Sequence, residues 1–134
     1  MHPEEIEQCK LFDWIRTVPE LEKCAFHIAN ERKTNPMRGL LLKRMGVLSG
    51  VSDVFIALPK GGFHGLFLEL KAGNNKATEH QRLFLEKMTQ NGYLAICCTG
   101  YEAARAIILT YLGKSYSEFL DHPIEPDEMA LKHS

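Results

Sequence analysis

The chain has 134 residues, of which 45% are apolar and 25% charged, so one domain can bury a core without metal or disulfide staples. Charge interrupts every apolar stretch before it could cross a bilayer, and the acidic start MHPEEIEQCK lacks the basic-then-apolar layout of a signal peptide; a cytoplasmic protein with no membrane partner is expected. The net charge of −1 hides a gradient: nine basic and four acidic residues lie between Asn30 and Arg82, and five acids accompany one lysine from Glu118 onward. A basic middle suits a nucleic-acid face, and suits a solvated helix surface as well.

Residues Glu4 to Val18 form an amphipathic helix pattern with Ile6, Leu11, Trp14 and Ile15 as apolar members. CAFHIAN follows as a short strand. In NPMRGLLLKRMG, Asn35 is a cap, Pro36 takes the first helical position and Gly46 is the stop; Leu41, Leu42 and Met45 are expected inside. DVFIAL and HGLFLELK are two strands separated by PKGGF, a hairpin signal. ATEHQRLFLEKMTQNG then reads as a helix, YLAICCTG as a buried strand and YEAARAIILTYLG as a closing helix. The stretch 121–134 reads as a frayed acidic tail after one domain over 1–120. This order is an α/β sandwich whose sheet is mixed, because the central hairpin is antiparallel.

Side chains alternate across a strand, so Phe67, Glu69 and Lys71 share one face. A Glu-x-Lys alone is an ion pair at a strand end. Asp53 and Glu69, however, are equidistant from Gly61, and a hairpin symmetric about that glycine sets them opposite each other, with β-carbons roughly 4.5 to 5.5 Å apart. A slip of one residue would send one carboxylate to the other face. Two opposed carboxylates repel unless solvent, a shared proton or a cation compensates; Lys71 offsets one charge, and a hard divalent ion with oxygen ligands is the natural third partner. Gln81 either completes a capping box with Thr78 or joins this site. The four cysteines, Cys9, Cys24, Cys97 and Cys98, show no C-x-x-C spacing and read as reduced thiols, not a zinc site. His64 reads as a hairpin-edge or core residue, and His27 and His80 carry no assigned role.

GVSD before a hairpin, then GLFLELK, a short polar loop, TEHQRLFLEKMTQNGY and LAICCTG, in this order, resemble the VRR-NUC (virus-type replication-repair nuclease) branch of the PD-(D/E)XK nuclease superfamily. FHIANE, LLLKRMGV and the N-terminal helix with Trp14 extend the likeness over most of the chain. The family usually has proline where this chain has Ser52, which touches a turn and not a carboxylate. The resemblance implies a restriction-endonuclease-like core in which Asp53 and Glu69 bind Mg2+ or Mn2+, the Leu70 carbonyl adds a ligand, Lys71 orients or activates the attacking water and Gln81 supports the site. It further implies an acid from the first helix, among Glu4, Glu5 and Glu7. Glu4 is chosen for its four-residue spacing to Gln8, although acids at a helix start also simply favour the helix dipole. Arg32, Lys33, Arg38, Lys43 and Arg44 are the candidate phosphate contacts.

The activity implied is a metal-dependent endonuclease on structured DNA, resembling Holliday junction resolvases that pair as homodimers. A non-catalytic nucleic-acid-binding module retaining the fold is the alternative, and an interaction domain with purely structural charges a third. The intact Asp53, Glu69 and Lys71 set argues for the first.

Overall fold

The computed structural model describes residues 1–29 and 35–113. Their elements are α1 (Pro3–Ile15), β1 (Ala25–His27), α2 (Pro36–Arg44), β2 (Val54–Ile56), β3 (Leu66–Lys71), α3 (Glu79–Gln90), β4 (Leu94–Thr99) and α4 (Gly100–Tyr111), with a single 3-10 turn at Pro19–Leu21. The sheet runs β1-β2-β3-β4, antiparallel between the first three strands and parallel between β3 and β4. It is the mixed α/β sheet expected from the order of elements. The parallel step follows from the crossover through α3, and the antiparallel step from the hairpin.

Strand β3 sits between β2 and β4 and is buried along its whole length. On one face Leu66, Leu68 and Leu70 join Val54 and Ile56 in the main core with Leu11, Trp14 and Ile15 of α1 and Ala104 and Ile108 of α4. On the other face Phe67 stacks on Phe55 at 4.3 Å and meets the edge of Phe84 from α3 at 5.2 Å. Helices therefore cover both sides, and any charge on β3 is taken out of water with it.

Several expectations change. α1 ends at Ile15 and not Val18, because Pro19 holds Val18 in an extended conformation (φ −104°, ψ 105°) and Thr17 closes a tight turn onto the Trp14 carbonyl. Ile6 is 41% exposed. In α2 Asn35 caps as predicted, its side chain accepting from the Arg38 N–H at 2.8 Å, but only Leu42 and Gly39 turn inward; Leu41 and Met45 face solvent. β4 is half-buried, since it is a sheet edge. The hairpin connection is longer than five residues, with Gly61 and Gly62 at positive φ between reciprocal Lys60 and Phe63 backbone bonds. The expected 121–134 tail and the boundary at 120 lie outside the described residues. Among those residues no helix is long and apolar enough to cross a membrane.

The loop from α2 to β2 is locked by Gly50, at φ +89°, where an added β-carbon would lie 2.4 Å from the His80 carbonyl oxygen and 2.9 Å from the Gln81 nitrogen. Gly50→Ala is expected to destabilise the protein by about 2 kcal/mol or more in urea unfolding, from the left-handed backbone and the backbone overlap together. An unchanged midpoint would show that this loop does not pack on α3 as described.

Candidate active site

Pairing of Val54 with Leu68, Phe55 with Phe67 and Ile56 with Leu66 sets the hairpin register. Continued by one step, it faces Asp53 toward Glu69, the relation predicted from their equal distance to Gly61. Asp53 is further held by backbone on both sides: the Leu70 N–H donates to its Oδ2 at 2.9 Å, and its own carbonyl accepts from the Ile28 N–H at 2.8 Å. Since N–H and C=O of one strand residue leave on the same side, the Leu70 carbonyl points toward this end of β2 as well.

Glu69 is 1% exposed. Its Oε2 lies 3.8 Å from the buried Lys71 ammonium, a long ion pair, and its Oε1 is buried with no hydrogen-bond partner. Burial pushes its carboxyl up to about 9, with a hydrogen bond shared with Asp53 and the Asp53 charge adding to the rise, Lys71 opposing it and Glu4 adding a little more. One lysine does not neutralise two neighbouring negative charges, so Glu69 keeps its proton to a higher pH than an ordinary carboxyl.

Glu4 enters from the first turn of α1. Its Oε2 accepts from the Asn75 side chain at 3.1 Å, and Glu4, Gln8, His27, Asp53 and Asn75 line a common cleft of about 560 Å³. Among the described residues no three acidic, histidine or cysteine side chains converge at metal-ligand spacing; Glu4 and Asp53 stand in the cleft wall, and Glu69 is buried behind Asp53. Glu7 turns elsewhere, accepting from the Tyr101 N–H at the start of α4, which lowers its carboxyl pKa. A larger cleft of about 790 Å³ runs along α1 and β1 and contains neither Asp53 nor Glu69.

The amide of Gln81 belongs to the helix start: its Oε1 accepts from the Thr78 N–H at 2.9 Å while its own N–H donates to Thr78 Oγ1, the reciprocal box. Only its NH2 end is left for other partners. Lys43 and Arg44 are exposed in the last turn of α2 and Arg38 is half-buried on the same helix. Arg32 and Lys33 lie outside the described residues. Cys97 and Cys98 face opposite ways, the first exposed and the second buried, in keeping with a strand. His64 is exposed at the hairpin, its N–H bonded to the Gly92 carbonyl and its ring against Tyr93.

Two participants were not legible beforehand. Asn75 reaches Glu4 across a separation of 71 residues, and the His27 ring nitrogen lies 2.7 Å from the Asp53 carbonyl across 26 residues; neither pairing leaves a spacing signal. Ser52, next to Asp53, is fully buried with its hydroxyl unpartnered, an apolar niche at the position where the sequence likeness expects proline.

The unpartnered Oε1 of Glu69, the adjoining Asp53 carboxylate and the Leu70 carbonyl form an all-oxygen donor set, and this set fits a hard divalent cation better than zinc or another soft metal.

The fold agrees with the comparisons. A solved structure described as a VRR-NUC domain protein superposes with a TM-score of 0.75 at 26% identity, over 84% of this chain and 90% of that one. No curated protein matches. The family model of the VRR-NUC domain matches residues 2–102, which take in every described element except the end of α4. On that match and that likeness, the chain belongs to the VRR-NUC family of nuclease domains.

Proposed function

We propose that this chain is a metal-dependent endodeoxyribonuclease that hydrolyses phosphodiester bonds in branched DNA, with Mg2+ or Mn2+ as cofactor and a Holliday junction resolvase-like homodimer as its working form. The observation that carries the reading is the under-compensated pair of a half-buried Asp53 and a buried Glu69, with one glutamate oxygen lacking any donor. A fold that only binds DNA gains nothing from setting a half-buried carboxylate against a buried one beside a single lysine.

Asp53, Glu69 and the Leu70 carbonyl would hold the cation, with Glu4 approaching from α1. Once bound, a divalent ion polarises the scissile phosphate and acidifies water. The chain's own groups do the rest. The Leu70 N–H fixes the Asp53 carboxylate by one oxygen. Lys71, buried on the Glu69 face, is placed to orient the attacking water and to offset the negative charge that develops on the phosphate, a contribution commonly worth a few kcal/mol. Gln81 acts through its cap, closing the first turn of α3. Arg32, Lys33, Arg38, Lys43 and Arg44 would neutralise backbone phosphates, which makes binding steeply salt-dependent. In a two-fold dimer two such sites would cut a four-way junction symmetrically.

The test is incubation of the full chain with immobile four-way junctions, flaps and plain duplexes in Mg2+ or Mn2+. Expected are paired cuts in branched substrates, halted by chelator. Salt-sensitive binding with no turnover on any substrate would replace this reading with that of a non-catalytic binding module.

A further inference from the structure

Among the described residues, the exposed apolar surface concentrates in one place. Met37, Leu41, Met45 and Leu48, at helical spacing, are 77%, 44%, 68% and 59% exposed, and Leu40 and Val47 flank them. Such a stripe normally faces a core; here α2 turns only Gly39 and Leu42 inward. Leu48 lies beyond the helix yet is held to it, because the Gly46 N–H bonds to the Lys43 carbonyl and the Val47 N–H to the Leu42 carbonyl, a Schellman ending with Gly46 at φ +97°. Two residues later Gly50 is clamped on the first turn of α3, and Asp53 follows three residues on. The stripe is thus tied by a short, rigid path to the carboxylates.

Charge identifies the occupant. From Asn35 to Ser52 there is no acidic residue, while Arg38, Lys43 and Arg44 are basic. A polyanion that also offers apolar faces is complementary to this surface; a second copy of the same helix would set Lys43 and Arg44 against their own kind.

We propose that the apolar stripe of α2 and its Schellman loop is a wedge that contacts unstacked bases at a DNA branch point while Lys43 and Arg44 hold the flanking phosphates. Apolar side chains inserted in continuous duplex must first unstack a base step, whereas at a branch point the stack is already interrupted. The wedge therefore selects branched over continuous DNA without reading sequence. This inference rests on the nuclease reading for its substrate but adds a separate selectivity element.

The experiment measures binding of the full chain to a labelled four-way junction and to a duplex of equal length, in chelator, across a salt series. Wild type is expected to prefer the junction by roughly tenfold or more. In Leu41→Ser/Leu48→Ser, and independently in Met37→Ala/Met45→Ala, the preference falls to near unity while duplex affinity and melting temperature stay as in wild type. Lys43→Ala/Arg44→Ala weakens both substrates together and lowers the salt slope by about 2. Persistence of the junction preference in both apolar variants overturns the wedge, and so does loss of affinity for both substrates together with a drop in sedimentation mass, which would make the stripe a protein interface. Cleavage of branched DNA by those variants at wild-type preference would sink the wedge and leave the nuclease reading standing; absence of cleavage in wild type would sink that reading instead.

Discussion

Asp53→Ala is expected to lower cleavage by at least about 10³-fold and to remove manganese uptake in calorimetry. The carboxylate supplies half of the acidic pair, and the described acids of α1 are engaged elsewhere, Glu4 by Asn75, Glu5 by the His2 N–H and Glu7 by the start of α4. Asp53 also accepts the Leu70 N–H, so alanine leaves that donor unpaired and costs stability of about 1 kcal/mol or more. Asp53→Asn separates the two effects. Its amide oxygen keeps the Leu70 bond, its charge is gone, and it should fold as wild type yet remain inactive. Turnover near the wild-type rate in Asp53→Asn, or unaltered manganese binding, would rule out the carboxylate pair as the seat of the chemistry.

Glu69→Gln should act in opposite directions on activity and on the stability of the metal-free protein. The carboxyl of Glu69 is pushed up to about 9 chiefly by burial and then by Asp53, so between about pH 4.5 and 9 the folded chain retains a proton that the unfolded chain has released. The stability from that retained proton is complete below the unfolded value of 4.5 and is lost as pH climbs through the folded value. Metal-free wild type should accordingly melt at progressively lower temperature from pH 5 to pH 9. An amide at position 69 carries no such proton and can donate to Asp53 at every pH. The variant is expected to melt several degrees above wild type at pH 8 in chelator, with the gap closing near pH 5, while cleavage is lost. Manganese should then raise the melting temperature of wild type and leave the variant unchanged, since a ligand stabilises only the state that binds it. A variant that melts below wild type at pH 8, or a wild-type melting curve that does not fall with pH, would show that Glu69 is compensated by some other partner.

Hairpin symmetry made the most specific feature readable. Residues 53 and 69 flank Gly61 equally, strands alternate with period two, and the pairing observed keeps that symmetry through Val54 and Leu68. Helix starts were also readable, because Asn35 with Pro36 and Thr78 with Gln81 satisfy backbone donors locally and need no distant partner. Local chemistry resolved Gln81 less well: the same residue served a cap and a site on spacing alone, and only its bond to the Thr78 N–H shows how its oxygen is used.

Residue order alone thus determined the α/β class, the mixed sheet, the register of the central hairpin and the shared face of Asp53, Glu69 and Lys71, because each follows from periodicity and turn chemistry within a few residues. Tertiary structure decided whatever depends on which surface meets which. It set Leu41 and Met45 outward, since periodicity marks a face of α2 but not whether another element covers it. It also brought Glu4 to the cleft with Asn75 and buried Glu69 on the central strand, since desolvation and long-range pairing arise only when separate elements close over the same strand.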